Sequence, residues 1–130
     1  MEGLTFNING GYLEGVVRGY KNSMLTPTNY QALTQCENLE DLRMQLSATD
    51  YGNFLANEPS PLATSAIAHR ATLKLVSEFE YLRDNATAPL SKFLDYLTYS
   101  YMIDNFILLI TVSLHGLETH DLLDRCLPLG

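Results

Sequence analysis

The chain has 130 residues, enough for one domain with a sizeable core. Its 46% apolar and 18% charged residues are ordinary globular proportions, which argues against disorder as the default state. A formal charge of −7, with eight basic residues scattered along the chain, argues against nucleic acid or anionic headgroups as partners, since both require clustered cations.

The periodicity is helical from the start. In GGYLEGVVRGY, Leu13, Val16, Val17 and Tyr20 share one helix face, while Gly11, Gly15 and Gly19 form a second stripe four residues apart. Each helical glycine costs about 1 kcal/mol against alanine, so three in register lead us to expect a second backbone packed closely there. Thr26-Pro27 is a start signal, a capping hydroxyl followed by a residue that needs no helical donor, and predicts a short helix through Tyr30 and Leu33. Asn38 opens the next helix, with Glu40 and Asp41 in its first turn and Leu39, Leu42 and Leu46 on one side. TDYGNFLANEPS reads as loop or a single turn.

Ser60-Pro61 predicts the start of a longer helix whose buried stripe is Ile67, Ala71, Leu75, Phe79 and Leu82. DNATAP interrupts it. A final long helix is expected from about Pro89 to Gly116, and Thr119 caps a last short one. No stretch alternates with period two for long enough to make a strand, so the fold class is all-α.

The long helix contains the most apolar passage, YMIDNFILLITVSLHGL. Spanning a hydrocarbon core takes about 20 mostly apolar residues. Extending the passage back to Tyr96 places Asp104 near its middle, at a cost of roughly 2.5–3.5 kcal/mol in a bilayer. It therefore reads as a buried core helix and not a span. Burial of Phe106, Ile107, Leu108, Leu109, Ile110, Val112 and Leu114 would contribute at most roughly 10–20 kcal/mol. Asp104 itself is expected to be buried or half-buried against an arginine or a hydroxyl such as that of Ser100.

Little chemistry is encoded. There is no GxxxxGK[ST] and no GxGxxG, so nucleotide phosphates have no visible cradle. His115, His120, Asp121, Asp124 and Cys126 form the one dense group of metal-ligand types, at poor spacing. A metal-dependent hydrolase using His115, His120 and Asp121 is the weakest of the readings considered. Cys36 and Cys126 lie far apart without CxxC spacing, which favours a reducing compartment, and Cys36 reads as a half-buried hydrophobe. The segment MEGLTFNINGG shows no basic-then-apolar pattern, so no signal peptide is expected.

Four stretches together, YLEGVVRGYK, LTQCENLEDLRMQLSATDYGNFLANE, PLSKFLDYLTYSYMIDNFILLI and CLPLG, resemble the amino-terminal part of the subunit d family of vacuolar proton-pumping ATPases. The resemblance covers residues 1–130 in order, with TDYGNFL and YMIDN as its most specific motifs. It implies a single helical bundle, the first of three similar bundles in a funnel-like rotor subunit. It further implies a non-catalytic, peripheral protein of the Vo sector on the cytosolic face of vacuolar or endolysosomal membranes. There the family caps the proteolipid c-ring, meets the central-stalk subunits of the V1 sector and membrane subunit a, and couples stalk rotation to proton translocation. No cofactor and no catalytic residue is implied. From the residues themselves, Tyr51, Asn53 and Phe54 are the candidate partner contacts, as polar and aromatic loop residues. The competing reading is a free helical adaptor derived from a truncated subunit.

Overall fold

The computed structural model describes residues 2–115 and 126–130. Five α-helices follow in chain order: α1 (Glu2–Ser23), α2 (Pro27–Thr34), α3 (Leu39–Ser47), α4 (Thr64–Asp84) and α5 (Leu90–His115), with a 3₁₀ turn at Gly52–Leu55 between α3 and α4. No strand occurs among the described residues, and the fold is all-α. Two compact units divide the chain, residues 1–77 and 78–130, and α4 runs across the division.

The short helices of the first unit are set by their caps. The Asn29 backbone amide donates to the Thr26 hydroxyl at 3.2 Å, and the Thr26 amide donates back to Asn29 Oδ1 at 2.8 Å, closing a capping box with Pro27 behind it. Asn38 Oδ1 accepts from the Asp41 amide at 2.8 Å, while its own amide group donates to the Asp41 carboxylate at 2.7 Å. Both caps fall where the sequence places them.

These helices surround Leu46, Leu55 and Leu62, with Leu25, Leu33, Leu39, Leu42, Tyr51, Phe54 and Ile67 packed around that centre. Leu55 is completely enclosed. Arg43 ties α3 to the segment after the 3₁₀ turn, donating to the Ala56 carbonyl at 2.9 Å and to the Glu58 carbonyl at 3.1 Å. Gly52 makes the return possible, since a Cβ there would stand 2.6 Å from the Ser47 Cα.

α4 begins three residues later than Ser60-Pro61 implied. Ser60 spends its hydroxyl on Glu40, at 2.8 Å, and the helix opens with the Ile67 amide donating to Ala63. Its expected stripe also shifts: Ala71 and Leu75 are exposed and Val76 is buried. A helix shared by two packing units covers a different arc at each end, so no single row runs its length. Ile67 belongs to the core of the first unit, while Phe79 and Leu82 are half-buried in the second.

The second unit contains α5. Leu94, Thr98, Asn105 and Val112 are its buried residues. The Asn105 side chain accepts from the Leu127 amide at 2.6 Å and donates to the Leu127 carbonyl at 2.8 Å, holding residues 126–130 against the helix. Gly130 lies so close that a Cβ would stand 2.5 Å from the Tyr101 carbonyl carbon. Arg83 donates to Asp95 at 2.7 Å, linking the end of α4 to α5.

Two expectations are corrected. A Cβ built at Gly11, Gly15 or Gly19 meets no atom from outside its own helix backbone within 4 Å, so among the described residues no second backbone lies against that stripe. On α5, only Val112 of the seven apolar residues expected in the core is buried; Leu108 is half-buried, and Phe106, Ile107, Leu109, Ile110 and Leu114 are exposed. The helix is long and apolar enough to cross a membrane by length and composition, with 17% of its most apolar window buried. The physical reason is supply: α5 is apolar on more sides than the described residues cover.

The two kinds of glycine predict opposite outcomes. Gly15→Ala should raise stability by about 0.5–1 kcal/mol, because the helix interior gains propensity and the methyl meets open space. Gly52→Ala should lower it by about 1–3 kcal/mol, because the Ser47 backbone must move. Denaturant midpoints of the two variants check the signs.

Candidate functional site

Tyr51, Asn53 and Phe54 stand on the 3₁₀ turn and the residue before it. The turn is short because Gly52 donates its amide to the Thr49 carbonyl at 3.0 Å and the chain then closes onto Leu55. Tyr51 and Phe54 are half-buried and meet edge to face, with centroids 6.1 Å apart at 84°. The Lys74 ammonium sits 5.2 Å from the centre of the Tyr51 ring, a cation–π arrangement reaching across from α4. Asn53, between the two rings in sequence, is exposed.

An open cleft of about 520 Å³ lies beside this turn, lined by Asp50, Asn53, Phe54, Asn57, Arg70 and Lys74 among others. Arg70 donates through Nε to the Glu58 carboxylate at its edge. The cleft therefore presents a mixed-sign polar rim around one aromatic face, the composition of a protein contact more than of a small-molecule pocket, where enclosure is the rule. The structure brings the three predicted residues together. Their two rings also serve the core of the first unit, since both pack against the Leu46–Leu55–Leu62 centre. Lys74 and Arg70 were missed in the sequence because contact across twenty residues leaves no local signature.

The remaining candidates fall elsewhere. His120, Asp121 and Asp124 lie outside the described residues; His115 is exposed at the end of α5, and Cys126 is half-buried. Among the described residues no group of three or more His, Cys, Asp or Glu is placed to hold a metal ion. Cys36 is half-buried and unbonded to Cys126, its thiol 3.6 Å from the Ala32 carbonyl.

Asp104 corrects its expectation. It is exposed, with no hydrogen bond or ion pair among the described residues, and the Ser100 hydroxyl donates instead to the Leu97 carbonyl at 3.4 Å. One residue on, Asn105 is buried, as Thr98 is two turns earlier, and both of its amide atoms are used. A sequence reading favours the charged residue as the anomaly in an apolar helix, but the side that faces inward carries the amide.

Comparison with known proteins gives a consistent result. The family described as ATP synthase (C/AC39) subunit matches residues 13–130. The V-type proton ATPase subunit d of Neurospora crassa is 60% identical over 130 residues, covering 100% of this chain and 35% of the relative. Subunit d of Saccharomyces cerevisiae is 53% identical over 131 residues (100% of this chain, 38% of the relative), and subunit d1 of Arabidopsis thaliana is 51% identical over 129 residues (99% and 37%). The chain thus spans little more than a third of the length of these relatives.

Adjacent substitutions separate the two polar residues of α5. Asn105→Ala should cost about 1–3 kcal/mol, since it strands the backbone groups of Leu127. Asp104→Ala should change stability by less than about 0.5 kcal/mol. Equilibrium unfolding of both variants reads the difference, and a larger loss at position 104 would contradict the assignment.

Proposed function

Since the chain belongs to the ATP synthase (C/AC39) subunit family, corresponding to the amino-terminal part of V-type proton ATPase subunits d, we propose that it serves in the Vo sector of a vacuolar proton pump without a catalytic site of its own. In this reading it forms part of a peripheral subunit on the cytosolic face of the membrane. The subunit caps the proteolipid ring and couples rotation of the central stalk, driven by ATP hydrolysis elsewhere, to proton translocation and organelle acidification. The observation that carries the reading is the match from end to end at 60% identity to the Neurospora crassa subunit.

The physical character of the chain is compatible with such a role. A coupling element must transmit force through packed helices, and the first unit supplies short, individually capped helices around an enclosed leucine. The net charge of −7 opposes direct attachment to anionic lipid, so attachment falls to protein loops. The Tyr51–Phe54 turn is the proposed contact: Asn53 offers an exposed amide, and the rings behind it hold the turn in place.

A chimera tests the role. These 130 residues replace the matching part of the Saccharomyces cerevisiae subunit in cells lacking the native one. The chimera is expected to associate with the Vo sector and restore vacuolar acidification. Stable expression with neither association nor acidification would refute the reading. Within a working chimera, Asn53→Ala should reduce retention on isolated membranes while its folding stability stays within about 0.5 kcal/mol.

A further inference from the structure

The segment from Thr49 to Ser60 carries Asp50 and Glu58 and no basic residue, and cations on the neighbouring helices reach into it. Arg43 of α3 donates to the carbonyls of Ala56 and Glu58, and Arg70 of α4 donates to the Glu58 carboxylate. Both act at the far end of the segment. At its near end, one turn further along α4 from Arg70, the Lys74 ammonium stands 5.2 Å from the centre of the Tyr51 ring. All of these groups lie within the first unit.

Tyr51 opens the 3₁₀ turn at Gly52–Leu55, but its side chain makes no capping bond, unlike Thr26 and Asn38 at the starts of α2 and α3. Its amide donates to the Thr49 hydroxyl at 3.2 Å, a bond that fixes the backbone and leaves the ring to be set by its neighbours. Phe54 meets that ring edge to face, and Lys74 lies over it. An ammonium over a ring is attracted by the negative face of the π-system, which an uncharged chain of the same length cannot exploit. A loop already held in its binding shape loses less freedom on association. Order at Tyr51 is therefore passed to Asn53, the exposed amide two residues on.

We propose that Lys74 is a positioning residue for this turn: its ammonium, lying over the Tyr51 ring, holds the Tyr51–Phe54 pair in the orientation that presents Asn53. It acts on the partner through the turn and not by a contact of its own. Its importance to assembly rests on the reading of Asn53 as a partner contact, whereas its hold on the turn does not. The charge must sit over an electron-rich face. That requirement separates Lys74 from a lysine that only adds positive charge to a cleft lined by Asp50.

The test uses the purified chimera with the Saccharomyces cerevisiae subunit, whether or not it assembles. Hydrogen exchange over residues 50–57 should be about two- to five-fold faster in Lys74→Met, which keeps an unbranched chain without the charge. In Lys74→Arg it should stay within about two-fold of the parent, because a guanidinium also stacks on an aromatic face. Tyr51→Phe, followed by phenylalanines of increasing fluorine content at position 51, leaves the ring close to its original size while weakening its negative face. Exchange should quicken along that series when residue 74 is lysine and stay level when it is methionine. Retention on isolated membranes should fall in the same order. Faster exchange with unchanged retention would support the hold of Lys74 on the turn and refute Asn53 as the contact. Exchange that ignores either the charge at position 74 or the fluorine series would overturn the inference.

Discussion

The Asn105 side chain holds the Leu127 backbone through two hydrogen bonds on one side of a largely apolar helix, and this gives α5 an inside and an outside. A single amide that both donates and accepts is matched to a backbone segment in a way that no hydrophobe could be. Buried at 8% exposure, it would be costly unless both bonds formed, so the position of residues 126–130 and the orientation of the helix depend on each other. Thr98, the other buried polar residue, is satisfied within the helix by donating to the Asp95 carbonyl at 2.8 Å. The covered side is therefore both apolar and fully hydrogen-bonded, while the opposite side is a row of rings and branched chains open to solvent.

The first unit rests on a different kind of constraint. Its α2 and α3, of 8 and 9 residues, are too short to persist on propensity alone, since isolated helices below roughly a dozen residues are marginal in water. Caps at Thr26 and Asn38, the Arg43 bonds to two carbonyls and the close approach at Gly52 fix the path of the chain around Leu55. The Tyr51–Phe54 turn is held by the same core that it borders.

Much of this is legible in the sequence, and the failures have a common cause. Cap residues act within three positions, so Thr26 and Asn38 marked their helices correctly. The all-α class followed from periodicity, and α5 begins within a residue of where its pattern starts. Errors arose wherever the answer depended on what lies opposite a residue. The glycine stripe of α1 reads as a contact, yet among the described residues nothing packs against it. The apolar run of α5 reads as core, yet composition records how much surface must be covered and not how much of the covering material is present. Asp104 and Asn105 show the same limit at single-residue scale, because one step of about 100° decides which of two polar neighbours turns inward. At the candidate site, the turn was visible from Gly52 and its aromatic neighbours, whereas Lys74 and Arg70 come from α4 and carry no local signal.

The central claim is that the two sides of α5 are unequally covered by these 130 residues. Thiol labelling measures it directly in a chain carrying Cys36→Ser and Cys126→Ser, with a single new cysteine at either position 103 or position 112. Ile103→Cys should react at least about ten times faster than Val112→Cys in the folded chain, in keeping with 57% against 6% exposure. Equal rates, or faster reaction at position 112, would contradict the account.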